Sequence, residues 1–308
     1  MKVLTILSGL VLCFCVSTLC AQRSIYLLTL SGQYSPKASY QNKNGTASEQ
    51  AYLINLKVPI LFNKGKTVWY SDVTYNHFNV NSNLNHTSTL ANNINIHGII
   101  MQTGIAQKFG DKNALQLLFA PRFMGDFKAP DKRNFQPGFV ALFEHEFKPR
   151  MLMRFGAMYN ADLFGPMLVP LVYIDWSINN SNWFIKGLVP IYSKIGFQIN
   201  KKLSTGLGHF GLVTSYALTT PELKNSYLER KSIDVFSFLR YHLWNNLHLE
   251  ARLGYALSRD YAQYTNGDEI DFKLTVLSFG DNRNRLNTRF NDQFIVNLRL
   301  VYNYPLAD

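Results

Sequence analysis

The sequence predicts an all-β fold: a single transmembrane, antiparallel up-and-down β-barrel of about fourteen strands, with twelve as the alternative. Three observations carry that expectation. The chain opens with an export leader, its later segments alternate apolar and polar residues over unusual lengths, and its connections are short and long in turn. Composition agrees. Of 308 residues, 47% are hydrophobic and 14% aromatic, while 17% are charged, against about 25% in a soluble domain. Such a chain is too apolar to be disordered.

Met1-Lys2 is followed by an apolar run over residues 3–16 and then by Ser17-Thr18. A basic start, an apolar stretch and a small-residue exit make a secretory signal peptide. The run is too short for a spanning helix, which needs about 20 apolar residues. The expected division is a signal peptide over 1–21, cut after Ala21 or alternatively after Cys20, and a barrel domain over 22–308. Leu19 before Cys20 does not suit a lipobox, so no lipid anchor is expected. All three cysteines, Cys13, Cys15 and Cys20, lie in the leader. Thiol nucleophiles, disulfides and cysteine metal sites are therefore excluded from the mature chain.

The strands follow in order. Tyr26 and Tyr34 bracket the first. Residues 52–62 place Tyr52, Ile54, Leu56, Val58, Ile60 and Phe62 on one face, opposite Asn55 and Lys57. Residues 94–109 hold no single phase, which suggests a bulge near Gly98. Residues 247–258 set Leu247, Leu249, Ala251, Leu253, Tyr255 and Leu257 against His248, Glu250, Arg252 and Ser258. The last segment sets Phe294, Val296, Leu298, Leu300, Tyr302 and Tyr304 against Asn297, Arg299 and Asn303. Soluble strands average about 5–6 residues, whereas membrane strands need about 9–11. Aromatic residues at the segment ends (Tyr26, Tyr34, Tyr52, Phe62, Phe294, Tyr304) match interfacial girdles. Pro59, Pro121, Pro170 and Pro190 lack a ladder donor and mark strand ends or irregularities.

Short polar turns occur at 63–66, 110–113, 148–150, 179–182, 200–204 and 244–246. Longer links lie at 35–50, 76–92, 125–137, 160–166, 219–232 and 265–293. This alternation is that of an outer-membrane barrel with both termini in the periplasm and long loops outside. The return near Pro190–Lys194 is the exception, short where a long loop belongs.

Residues 153–208 carry a resemblance. Arg154-Phe155-Gly156-Ala157-Met158-Tyr159, Leu168-Val169-Pro170-Leu171-Val172-Tyr173 and Phe184-Ile185-Lys186-Gly187-Leu188-Val189-Pro190 resemble an uncharacterised family of outer-membrane β-barrel proteins, known only as a domain of unknown function. The resemblance extends over nearly all of the mature chain. It implies a barrel in the outer membrane and supplies no catalytic residues. The terminal Pro305-Leu306-Ala307-Asp308 departs from the usual ending on an aromatic residue.

If the apolar faces meet lipid, the opposite faces line a lumen. Candidate lining residues are Arg122, Glu144, Glu146, Arg154, Asp175, Lys186, Arg240, His242, His248, Glu250, Arg252 and Arg299. Such charges form either a salt-bridge network that fills the barrel or a water-filled, slightly basic pore for anionic or zwitterionic small solutes. Phe236, Phe238 and Trp244 on the same faces would constrict it. Period two separates His145 from Glu144 and Glu146, so these make no metal cluster. His242 and His248 straddle a turn but lack a third ligand. His86 and Ser88 have the spacing of a nucleophile–base pair, without a partner to orient the histidine. No cofactor motif is present.

The formal net charge of +11 and the loop residues Lys128, Lys132, Arg133, Arg283, Arg285 and Arg289 suggest contact with outer-membrane lipid and lipopolysaccharide phosphates instead of nucleic acid. Oligomeric state is not legible. The expected function is a porin-like channel or structural barrel. A lipid-acting membrane enzyme and a soluble periplasmic β protein are the competing classes.

Overall fold

A computed structural model of the chain describes residues 24–84, 89–178 and 181–305. The expected leader (residues 1–21), His86 and Ser88 lie outside these. Fourteen antiparallel strands close into one barrel. They are β1 (Ser24–Ser39), β2 (Thr46–Phe62), β3 (Thr67–Ser82), β4 (Ile94–Phe109), β5 (Asn113–Phe119, resuming at Arg122–Gly125), β6 (Phe135–Gln136 and Gly138–Lys148) and β7 (Met151–Asp162). There follow β8 (Gly165–Ser177), β9 (Trp183–Val189), β10 (Tyr192–Gln198), β11 (Leu203–Ala217), β12 (Ser226–Trp244), β13 (Leu247–Thr265) and β14 (Gln293–Pro305). Each pairs with its sequence neighbour, and β1 closes on β14 from Ser24↔Pro305 to Tyr34↔Val296. Closure leaves no open sheet edge, the condition for a sheet in lipid.

The outward face is apolar. Ile54, Leu56, Val58 and Ile60 on β2 are exposed, as are Leu253 on β13 and Val296 and Leu298 on β14. No soluble surface sustains such a belt, and it gives the barrel its membrane-spanning character. At one end, the turn end, the connections are tight, and Ser24 and Pro305 lie there. At the other, the loop end, the links include 83–93, 126–134, 218–225 and 266–292. The expected long link at 160–166 is instead the tight turn Leu163-Phe164, because Leu163 and Asp162 are tied to Ser215 inside the barrel. The β9–β10 return is equally tight, with a cis bond between Val189 and Pro190.

Two further sequence expectations need correction. The register of β4 against β3 runs without a shift from Thr67↔Gln107 to Val80↔Ile94, so there is no bulge at Gly98. The alternation fails there because the inward residues Ile94, Ile96 and Ile100 face a dry, packed interior. Tyr26 does not belong to a lipid-facing girdle. A register shift between Tyr26 and Leu28 turns Tyr26 into the lumen, where its hydroxyl meets Arg240. Tyr34, Tyr52, Phe62 and Phe294 do stand exposed on the outer face.

The prolines sit where a ladder neighbour is missing. Pro59 lies past the last β1–β2 pair, Leu28↔Leu56, and Pro121 splits β5. Pro170 lies beyond the stretch of β8 that β9 covers, which starts at Val172.

The dry interior has a definite source. Residues 214–219, 226–230 and 259–263 are each buried on consecutive positions, so both of their faces are covered. These are the loop-end portions of β11, β12 and β13. The β13–β14 pairing stops at Ala256↔Gln293. Just beyond it, Ser258 and Arg259 together oppose Ser232, and Ser258 adopts φ +53°. This is a β-bulge, which bends and twists its strand. From there the three strand ends leave the wall and fold into the barrel as a flap. One flap face packs Tyr216, Leu228 and Tyr261 against Ala47, Phe78, Ile96 and Met124. The other packs Tyr227 against Leu118, Val140, Phe164 and Leu171. Ala217 even pairs with Gly125 on the far wall. The 266–292 link carries a small hairpin (Phe272–Leu274 and Leu277–Phe279) that pairs with Met167 and Leu168 on β8 and covers the gap.

Candidate functional site: a charged lumen beneath an in-folded flap

The flap is clamped by buried charge. Arg259, 0% exposed, places Nη1 2.9 Å from Glu49 on β2 and Nη2 2.9 Å from Asp234. It also donates to Ser35 on β1 at 2.6 Å. Arg230 lies 3.7 Å from Glu49 and stacks its guanidinium 3.9 Å from the Phe78 ring centroid. The Tyr261 hydroxyl donates to Glu49 at 2.6 Å. Two arginines thus meet two carboxylates, which is the condition for burying them. On the opposite side Arg122 pairs with Asp162 at 2.9 Å, and Asp162 accepts from the Ser215 backbone and hydroxyl.

In the loops, the Asp126 carboxyl accepts from the backbone N–H and hydroxyl groups of Thr219 and Thr220. Burial pushes that carboxyl up, but these donors hold it below its ordinary range. The seam is not fully satisfied. Arg122 Nε, Gln136 Oε1, Tyr216 OH and Arg230 Nη1 are buried without a hydrogen-bond partner among the described residues.

Beneath the flap lies a cavity of about 1160 Å³. It reaches the turn end at residues 60–65 and stops under Phe78, Arg122 and Arg230. Its waist carries ion pairs set by strand register. Glu144↔Arg154 and Asp175↔Lys186 are directly opposed on neighbouring strands, at 2.6 Å and 2.9 Å. Lys57 approaches Asp72 at 3.5 Å.

The β10–β14 sector is different. Glu250 alone receives Lys194 at 2.5 Å, Arg252 at 2.7 Å and Arg299 at 3.0 Å. Lys194 crosses over β11 because Gly206 and Gly208 present no side chain there. Arg240 completes the sector, donating to the Tyr26 hydroxyl while its Nη2 is buried without a partner among the described residues. Three cations therefore share one carboxylate while Arg240 has none among the described residues, and each of the four lines the cavity.

Of the sequence candidates, Arg122, Glu144, Arg154, Lys186, Arg240, Arg252 and Arg299 line this cavity. Asp175 and Glu250 stand behind the cations they hold. Glu146 is half-buried towards the turn end of β6 and makes no ion pair among the described residues. His242 and His248 stack at 4.8 Å beside the β12–β13 turn, away from the cavity. No group of three metal-binding side chains exists among the described residues. Phe236 and Phe238 line the lumen, whereas Trp244 does not. A register shift after His242 leaves it 71% exposed.

Sequence reasoning missed Lys194, Lys57 and the Glu49–Arg230–Asp234–Arg259 clamp. Of the six basic loop residues, the four arginines are taken up by Asp131, Glu229 with Asp281, Asp260 and Asp292. Lys128 and Lys132 stay exposed.

Residues 17–299 match the sequence profile of the domain of unknown function DUF6268, and the chain belongs to that family. No curated protein matches the chain. Among solved structures it is similar to the NanC porin, at 12% identity and TM-score 0.36, covering 89% of this chain and 98% of that one. It is similar to an outer membrane channel of Pseudomonas putida F1 (6% identity, TM-score 0.43, 94% and 100% covered). It is also similar to outer membrane phospholipase A of Escherichia coli (9% identity, TM-score 0.34, 92% and 94% covered).

Proposed function

We propose that this member of the DUF6268 family is exported by its leader, residues 1–21, and stands in the outer membrane as a gated channel for small anionic or zwitterionic solutes. The supporting observation is the cavity itself: it opens at the turn end, is lined by cations, and ends against strand ends folded in from the wall. An eight-strand barrel can be filled by its own side chains, but a wider one leaves room for water. Here the flap takes up the loop-end half of that room. Its clamp is polar and incompletely satisfied, a seam that can part at moderate cost, unlike a hydrocarbon core. The turn end is the periplasmic end in this reading, and Lys128 and Lys132 meet lipopolysaccharide phosphates at the outer rim.

Planar bilayers test it. The wild type should be mostly silent, and Glu49→Ala should produce stepwise currents by unseating Arg259 and Arg230. Adding Arg252→Glu should reduce the anion preference of those currents. If both variants fold, shown by a mobility change on boiling, and no current appears in either, the barrel is structural and the channel reading falls.

A further inference from the structure

The cavity has two chemically distinct zones. Its waist carries the cationic sector just described. Its inner end, under the flap, is a dome of Leu118, Val140, Leu142, Leu171, Leu188 and Leu212, all of which line the same continuous space. Passage of small polar solutes does not by itself account for an apolar dome, which water wets poorly. A pure packing core would not be hollow. At about 1160 Å³ the space is at the upper end of the roughly 300–1,000 Å³ typical of ligand sites, which are mostly apolar with a few placed polar groups.

The cationic sector points to the charge of the occupant. Lys194, Arg252 and Arg299 converge on Glu250, which can neutralise one of them, and Arg240 has no carboxylate among the described residues. Arg240 lines the cavity, and its Nη2 is buried behind that wall without a hydrogen-bond partner among the described residues. Arginine forks suit carboxylate and phosphate oxygens.

We propose that the lumen binds an amphiphilic anion, with its hydrocarbon chain in the dome and its carboxylate or phosphate head on Arg240, Arg252, Arg299 and Lys194. This rests on the reading that the lumen is accessible from the turn end, but not on conduction. The ligand enters chain first and stops beneath the flap, so the flap roofs the dome as well as blocking the pore.

Equilibrium binding to the full-length barrel in amphipol tests the proposal, with radiolabelled dodecanoate, dodecyl phosphate, butyrate and dodecyltrimethylammonium as probes. Dodecanoate or dodecyl phosphate should bind, and the tighter of the two identifies the head as carboxylate or lipid phosphate. Butyrate, eight carbons shorter, should bind at least about a hundredfold more weakly. The cationic probe should not compete. Arg240→Gln with Arg252→Gln should weaken dodecanoate by about tenfold or more. Leu188→Asn should weaken dodecanoate and leave butyrate unchanged, with mobility on boiling as the folding control.

Equal binding of butyrate and dodecanoate would show the dome idle. Equal binding of the cationic probe would show the cation cluster idle, and binding of neither long-chain anion removes the site. Each of these overturns the proposal while leaving channel currents free to appear. Chain-dependent binding in a barrel that never conducts would sustain this inference and sink the channel.

Discussion

Residue by residue, the decisive groups are charges placed where a barrel has no water to spare. Arg259 is the clearest case, since it is fully buried between Glu49 and Asp234. Removing one partner of a buried pair leaves an uncompensated charge and costs about 3–5 kcal/mol. Arg259→Ala should therefore lower the midpoint of urea unfolding in vesicles far more than Arg285→Ala, whose pair with Asp260 is partly exposed. Asp126 sets an acid limit on the loop clamp. Its folded carboxyl lies below the ordinary range, so its contribution is present above about pH 4 and disappears as pH falls through the folded value. Proteolysis of the 218–225 link should rise in the wild type only as pH falls through that lowered value, and Asp126→Asn should show that susceptibility at neutral pH. Some of this was legible in the sequence. Glu144–Arg154 and Asp175–Lys186 follow from period two plus hairpin register. Lys194 was hidden because a seven-residue strand is too short to declare its phase, and Arg259 because it lies in a bulge.

The strands show why alternation is readable only where two environments differ. In β2 and β14 one face meets lipid and the other a polar lumen, and the pattern is clear. In β4 the inward face passes from the polar waist at Gln102 to the packed flap at Ile96, while the outward face passes from Ile99, Met101 and Ile105 to Asn95 and His97, so the apolar residues change faces and no single phase holds. What reads as a bulge in the sequence is thus a filled lumen. The real bulge, at Ser258, gave no warning, because the residues after it are mixed in character on both faces. Deleting Ser258 should bring residues 259–265 into continuous register with β12, Arg259 still opposite Ser232, and remove the bend. The strand ends should then stay in the wall and carry Arg259 away from Glu49, and the variant should conduct or swell vesicles where the wild type does not. Unchanged impermeability of a folded deletion variant would show that the bend is not what directs the flap inward.

Across the whole molecule, the apolar belt, the strand number and the alternating connections other than the link at 160–166 were present in the sequence, and the family match agrees with a barrel. The occupancy of the lumen was not. Strand count fixes the width of a barrel, but the flap depends on contacts between residues some two hundred positions apart, such as Glu49 with Tyr261, and no local pattern records them. The central claim is that the loop-end half of the lumen is filled by the ends of β11, β12 and β13. Thiol labelling tests it most directly, because the described residues contain no cysteine. Leu228→Cys lies at the buried face of the flap, and Glu222→Cys on the exposed link above it. A bulky, membrane-impermeant maleimide should label position 222 quickly and position 228 at least about a hundredfold more slowly, with Glu49→Ala speeding only the latter. Equal labelling of both positions in the otherwise unaltered barrel would mean that the lumen is open and the flap is not seated there.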